Sequence, residues 1–576
     1  MRYDITISVV VPLVFFWMAA RSSPGPSYTS DEFAYLAKSA AVAGNAINYP
    51  SSWHSGYPIL ISPIFRLGLD PQNIWTLVLF TNCIFWIGSF LILSRLIRIW
   101  FPKLNEAARG FVILITALYP GWGAISAYAF PNSAFVFFYL LIFLVYSHNK
   151  ISPLARSLLS FTLLGFLYWI HPIGLVVFIA FLISQLWTIH IGKGLTKQFA
   201  LSLISIVLIL IYSRFIHPLI NESMMLANFT QTDHYGSHFT NQLSYLGTTD
   251  YWKSFIFEVL GIWGAISVAT LGLIFLPIAK LFQLQLKNRS TPNHRQTEAF
   301  LISFGVFSIV LVSLLTAFSL TSPLRSTMQL DHWIFLRYVE CVLLPLLPFG
   351  IATLYFNPAV SKKRFYWGLP ITLYLIGWIL DSNLNARGPT SQVDNHFVMS
   401  IGFWPVSVLN RFNIGDWSNH PPSTSVDYSD YSFRAWMVIG IVGIVICFYK
   451  SRFLLLVFCC IQFVSVSHLQ TEWHEYIHGE YANPPKAIAQ IRTSPTPESC
   501  SGYLDDSLGE VLQGEEYNLL TFYLYDYKLR RISKEDWVEF CDGPLIVEKS
   551  DYGNASSFLN SYRKFDLDAY FVFFKN

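Results

Sequence analysis

The sequence predicts an α-helical, polytopic membrane protein with about thirteen transmembrane helices and a small C-terminal α/β domain outside the lipid. Three observations predict it. Of 576 residues, 53% are hydrophobic and only 13% are charged, about half the charge density of an ordinary soluble domain. Apolar runs of spanning or near-spanning length recur along most of the chain. Basic residues gather in alternate connections between those runs.

The apolar runs lie at 5–20, 72–93, 110–127, 131–147, 157–170, 172–189, 198–216, 254–279, 298–320, 338–356, 366–381, 433–449 and 453–468. Each approaches the roughly twenty residues that a helix needs to cross the hydrocarbon. The long stretches 110–147 and 157–189 are interrupted by Phe130-Pro131-Asn132 and His171-Pro172, so each is read as two spans joined by a tight turn. Met1-Arg2 ahead of Ile5–Ala20 also has the outline of a signal peptide, with small residues Ala19 and Ala20 at its end. The many later spans favour an uncleaved first helix.

With the N-terminus in the cytosol, the inner connections hold Arg95, Arg98, Lys103, Arg109, Lys150, Arg156, Lys193, Lys197, Lys280, Lys287, Arg289, Arg295, Lys362, Lys363, Arg364, Lys450 and Arg452. That is a dense excess over the opposite loops, as the positive-inside rule requires. All the long polar stretches then fall outside: loops 21–71, 217–253, 321–337 and 382–432, and a tail beyond the transmembrane domain of 1–468. Function is therefore expected on the outer face. The tail, 469–576, carries β-rich runs at 518–529, 543–549 and 569–574 between helix-like pieces, which fits a small extracytoplasmic α/β domain.

The net charge of +3 is too small to suggest a nucleic-acid partner. Five of the seven cysteines lie in or beside apolar runs, where buried free thiols are expected. Cys500 and Cys541 share the polar tail and would be free to pair if it lies outside the cytosol.

The first outer loop carries the most chemistry. Ser30 is placed to cap a helix, Asp31 and Glu32 fill its first turn, and FAYLAKSAAVAG continues it as an amphipathic helix to Gly44. Carboxylates in a first turn favourably meet the helix dipole; they also suit a base that deprotonates an acceptor hydroxyl or amine. A further segment, HSGYPILISPIFRLG at 54–68, leads back into the second span.

These segments resemble the GT-C glycosyltransferases, in particular the superfamily of protein O-mannosyltransferases and lipid A aminoarabinose transferases. An acidic motif opens the first outer loop, and a GYP element returns the chain to the bilayer. YWIHPIGLVVF at 168–178 is similar to the family's RP-G element, with His171 where arginine is common. DHWIFLRYVECVLLPLLPFG at 331–350 is similar to its late GRY and LP-LP segment, with Leu336 in place of glycine. Asn132 stands where some relatives carry an acid, which departs from the pattern.

The resemblance implies an inverting transfer of sugar from a polyprenyl-phosphate donor to a lipid, glycan or protein acceptor. Asp31 or Glu32 would be the base. Arg337, Arg325, His332 and His171 would receive the donor phosphate, because a phosphate in a low-dielectric site must be neutralised. Arg337 could equally snorkel to headgroups, and His171 could pair with backbone at a helix break. No metal site is implied, and the motifs neither demand nor exclude a divalent cation. The chain is expected in a cell membrane, a bacterial inner membrane being favoured, with its C-terminus extracytoplasmic.

Two other classes compete. A transporter or polysaccharide exporter would place ionisable residues within its spans, where Glu258 is the main example; a polysaccharide polymerase would also act outside. His474, Glu475 and His478 form an H-E-x-x-H pattern of the kind that holds zinc in proteases, but Gly479 and Asn483-Pro484-Pro485 break any supporting helix.

Overall fold

The computed structural model describes residues 3–224 apart from 24, 27–30, 46–52, 120, 123–126, 149 and 189–193; then 243–286, 293–321, 337–356, 449 and 451–464 apart from 462; and, in the tail, Phe522 and five strands. The expected span 366–381, all of 433–449 but Tyr449, Cys500, Cys541 and the His474/Glu475/His478 pattern lie outside the described residues.

The helices follow the apolar runs. They are α1 (Tyr3–Ser22), α2 (Asp31–Val42), α3 (Gly56–Phe65), α4 (Pro71–Trp100), α5 (Glu106–Ala117), α6 (Asn132–Ser147), α7 (Pro153–Ile170), α8 (Ile173–Thr188) and α9 (Gly194–Ile211). A five-residue π-helix, Tyr212–Ile216, joins α9 to α10 (His217–Met224). Then come α11 (Thr249–Ala269), α12 (Phe275–Leu286), α13 (Asn293–Leu320), α14 (Arg337–Leu343) and α15 (Leu346–Phe356). Among the described residues five helical stretches are long and apolar enough to cross a membrane: 3–21, 71–100, 153–170, 197–224 and 298–319. The chain is a multi-pass membrane protein.

Local chemistry sets the helix starts. Asp70 accepts the Asn73 amide at 3.0 Å with Pro71 in the first turn, Asn105 accepts Ala108 at 2.8 Å, and Ser152 accepts Ala155 at 3.3 Å. Each satisfies a backbone donor that the helix itself leaves open. Pro172 ends α7, as the sequence predicts.

Two expected single spans are broken instead. The run 254–279 divides between α11 and α12 at a turn with Leu271 at φ 53° and Gly272 at φ 71°. The run 338–356 divides between α14 and α15 at Leu344-Pro345. The breaks fit together: Gly350 lies directly on the Leu273 carbonyl, where any Cβ would collide with backbone. In the run 110–127, α5 ends at Ala117 and the chain is helical again at Gly121 and Trp122.

Packing is chiefly helix on helix. α1 lies against α4 and α5, α4 against α6, α7 against α6, α8 and α9, and α13 against α8 and α14. At the end of α1 remote from the first loop, buried Asp4 accepts the Ser94 hydroxyl at 2.6 Å and pairs with the Arg98 guanidinium, with Arg109 at 4.0 Å. One carboxylate thus ties α1 to both α4 and α5.

The tail strands are β1 (Gly502–Leu504), β2 (Arg530–Ile532), β3 (Leu545–Glu548), β4 (Tyr562–Asp566) and β5 (Tyr570–Lys575). They form one sheet ordered β2-β1-β3-β5-β4, parallel around β1 and antiparallel around β5. The β-rich runs at 543–549 and 569–574 are β3 and β5. The run at 518–529 lies outside the described residues except Phe522, which is helical and packs edge-on against Trp75 with ring centroids 6.4 Å apart.

The tightest backbone crossing brings Gly56 onto the Trp169 backbone. A methyl there has no side chain to push aside, so Gly56→Ala is expected to destabilise by at least about 2 kcal/mol. Gly264, inside α11, faces open space, and Gly264→Ala should hold or slightly raise the thermal unfolding temperature of the purified protein.

Candidate active site

Helix α2 is not the half-exposed amphipathic helix its sequence predicts. Residues 32–40 are buried on every face, Phe33, Tyr35 and Leu36 together with Glu32, Lys38 and Ser39. The helix ends as expected: Gly44 adopts φ 102° and Asn45 donates its backbone N–H back to the Ala40 carbonyl at 3.0 Å.

The acidic pair is split by this burial. Glu32 is fully buried, and its Oε1 accepts the Ala129 backbone N–H at 2.6 Å. It therefore anchors the turn between α5 and α6. Asp31 is the first residue of α2; its side chain lies outside the described part. Tyr57, Asn82 and Ser133 complete the anchorage. Asn82 Oδ1 accepts from the Tyr57 hydroxyl at 3.0 Å and from Ser133 at 2.8 Å, while its Nδ2 donates to the Tyr128 carbonyl at 2.8 Å. One asparagine in α4 thus joins the GYP segment to the Phe130-Pro131-Asn132 turn.

The late segment closes on two turns. Tyr338 packs on His171 with ring centroids 5.2 Å apart. Asn132 donates to Cys341 Sγ at 3.1 Å. The carboxyl group of Glu340, fully buried, lies on Gly121, where a Cβ would come within 3.0 to 3.2 Å of it. Arg337 opens α14, with its side chain outside the described part. Arg325 and His332 lie outside the described residues. His171, nearly buried, caps α7 and accepts the Ile173 N–H on Nδ1 at 3.2 Å, so that nitrogen serves the helix break.

A second polar cluster, missed in the sequence, adjoins the first. Lys38 is wholly buried and donates to the Trp53 carbonyl. His54 Nδ1 donates to the Tyr168 carbonyl at 2.6 Å. The Ser55 N–H donates to the Tyr212 hydroxyl at 2.6 Å, which lies 3.0 Å from His217 Nδ1. Burial holds the Lys38 amine well below the usual lysine range. Burial first, then the neighbouring His217, pushes His54 down to about 3. The available signs were a lone lysine in the small-residue run of α2 and a second His-Pro pair, His217-Pro218, matching His171-Pro172. Among the described residues no group of three or more His, Cys, Asp or Glu is placed to hold a metal ion.

Fold and site together define a helical membrane protein in which the helix after the first span and two inter-helix turns converge on buried carboxylates. No family model matches the sequence, and no curated protein matches it. Solved structures do. ArnT from Cupriavidus metallidurans bound to undecaprenyl phosphate aligns at TM-score 0.54 and 13% identity, covering 99% of this chain and 97% of that one. The apo form of ArnT aligns at TM-score 0.52 and 12% identity, with the same coverage. An Archaeoglobus fulgidus oligosaccharyltransferase, AglB, in complex with an inhibitory peptide and a dolichol-phosphate, aligns more loosely at TM-score 0.37 and 10% identity, covering 99% and 74%. The chain has the fold of the aminoarabinose transferase ArnT, the GT-C fold.

Two outcomes are expected. Glu32→Ala leaves the Ala129 amide buried and unpaired, so unfolding should cost about 1–3 kcal/mol less; Glu32→Gln, which retains an acceptor, should lose less. His54 is uncharged when folded and protonates when unfolded below its ordinary pKa near 6.5. Its contribution to stability is therefore full above 6.5 and is lost as pH falls toward about 3. Thermal unfolding across that range should show the loss, and His54→Gln should flatten it.

Proposed function

We propose that this protein is a membrane glycosyltransferase that moves a sugar from a polyprenyl-phosphate donor to an acceptor on the extracytoplasmic face. The observation that carries the reading is end-to-end likeness to ArnT, a transferase seen with undecaprenyl phosphate bound. The carboxylate-bearing helix directly after the first span supports it from the chain itself.

In this reading Asp31 is the base and Glu32 the residue that positions it. The reason for dividing the pair is physical. Glu32 is enclosed and engaged with the Ala129 amide, which leaves Asp31, the residue before it on α2, as the member of the pair assigned to the acceptor. The Asp31 carboxylate takes the proton of the acceptor hydroxyl or amine as that nucleophile attacks the anomeric carbon. The carbon–oxygen bond to the lipid phosphate breaks on the opposite side, its electron pair leaves with the phosphate, and the anomeric centre inverts. Positive charge is required where that phosphate departs. Arg337 is assigned to it bidentately, with Arg325, His332 and His171 as further donors from the same outer face.

The tail, 469–576, is assigned to acceptor or donor recognition as a separate outer α/β domain; its mixed sheet supports a folded unit. The basic inner loops and the odd number of expected spans support a C-terminus outside the cytosol, and a bacterial inner membrane is the membrane assigned. A divalent cation remains compatible with this assignment and is not required by the steps above.

The test is transfer from radiolabelled polyprenyl-phosphate sugars in membranes. Asp31→Asn is expected to lower transfer by about 10²- to 10⁴-fold, and Arg337→Ala by about 10²-fold. Glu32→Gln, which keeps the amide contact, should cost less than Asp31→Asn. Wild-type rates in Asp31→Asn, or a greater loss in Glu32→Gln, would overturn the assignment of the base.

A further inference from the structure

We propose that the basic end of α7 and α9 is a docking surface for an anionic membrane lipid. The headgroup meets Lys150 and Lys197, and the chains lie along the exposed apolar side of the two helices. The surface is at the end of the bundle remote from α2, and the inference stands apart from the transferase reading.

The sequence marks the region by its charge. Between Glu106 and Glu222 it contains no aspartate or glutamate, yet it holds Lys150, Arg156, Lys193 and Lys197 in two connections of the inner set. Cations in such connections orient the chain in the membrane. That alone defines no surface, because a single exposed cation is screened by salt. The structure adds their assembly.

Helix α6 leaves the Phe130-Pro131-Asn132 turn and ends 16 residues later at Ser147, about 24 Å away. The turn that follows is rigid. Arg156 Nη2 donates to the His148 carbonyl at 3.3 Å and to the Ile151 carbonyl at 3.2 Å, and the Ile151 N–H donates to the His148 carbonyl at 3.2 Å. Ser152 then caps α7. Arg156 is thus spent on structure, and Lys150 stands exposed on the turn that it fixes.

Helices α7 and α9 run parallel, so both begin at this end. Gln198 Nε2 donates to Ser157 Oγ at 3.2 Å, the Ser205 hydroxyl to the Phe161 carbonyl at 2.6 Å, and the Trp169 indole to the Leu208 carbonyl at 2.8 Å. The first of these bonds joins the residue after Lys197 to the residue after Arg156. Two helix N-termini side by side add partial positive charge of the same sign.

The lysines are not neutralised within the protein. Lys150 and Lys197 are exposed, and among the described residues none of the four ion pairs involves either. Glu298 on α13, which packs against α8, already faces Lys280 at 3.9 Å.

The neighbours of the basic end decide the occupant. Leu154 is 61% exposed and Phe199 71%, and Leu158 and Leu203 continue the apolar surface one turn further along each helix. A free anion would use the lysines and leave this surface idle. A phospholipid with a net negative headgroup uses both, and each cation near the headgroups adds to the attraction.

The test is native mass spectrometry of the full-length protein in an uncharged detergent. The probes are phosphatidylglycerol, phosphatidylcholine with the same chains, and inorganic phosphate. The first phosphatidylglycerol is expected to bind about tenfold more tightly than phosphatidylcholine, and the double variant Lys150→Gln/Lys197→Gln to lose most of that difference. Lys103→Gln, at an exposed basic position of another inner connection, should keep it. Phe199→Ser should weaken both lipids by a similar factor. Equal binding of the two lipids by the wild type, or a preference that survives in the double variant, would overturn the proposal. An equal loss in Lys103→Gln would trace the preference to net charge and overturn it as well. Inorganic phosphate that displaces phosphatidylglycerol at equal concentration would make the occupant a free anion, against the lipid assigned here. Both lysines are exposed, so thermal unfolding of the double variant should match the wild type, and the comparison of lipids on the wild type needs no variant.

Discussion

The hydrogen bond from the Ala129 amide to the buried Glu32 carboxylate is the contact on which the arrangement around α2 depends. A carboxylate enclosed by protein is costly unless donors meet it, and a backbone amide in a turn between two apolar helices needs an acceptor just as urgently. Each group supplies what the other lacks. The consequence is geometric: α2, which follows the first span, is fixed to the turn that joins α5 to α6, nearly a hundred residues later.

The other connections repeat this logic with different chemistry. Asn82 uses both ends of its amide to join α3, α4 and the start of α6. Gly56 and Gly350 permit direct backbone contact, with Trp169 in one case and Leu273 in the other. Tyr338 and Cys341 reach the His171 and Asn132 turns from the late segment. Turns far apart in the sequence therefore form one structure, and the residues at its edge inherit its rigidity. Groups held in place in this way cost no reorganisation when a ligand or a reaction engages them.

The polar side chains of this region separate by sign. Buried carboxylates at Glu32 and Glu340 face the α5–α6 turn. The bases Lys38, His54 and His217 gather where α2, the end of α7 and the π-helix meet. The proposed transfer would make opposite demands, a proton to be taken from the acceptor and a phosphate to be neutralised, and a division of acids from bases suits both.

The sequence alone determined the membrane class, because charge depletion and apolar run length are properties of composition that no packing can reverse. It also located the segments that converge: the acid pair at 31–32, GYP at 56–58, the turns at 130–132 and 171–172, and the late Arg337-Tyr338 segment. The β-rich tail runs at 543–549 and 569–574 were legible for the same reason, a local pattern. What only the tertiary structure decided was which member of a local pair turns inward, and which distant residues meet. Helix α2 has an amphipathic pattern yet is buried all round, since α3, α10 and the α5–α6 turn pack against it. That enclosure commits Glu32 to the Ala129 amide and gathers Lys38, His54 and His217 from three separate segments. Periodicity records the face a helix could bury; the partners that cover it, and the charges they enclose, exist only once the chain has packed.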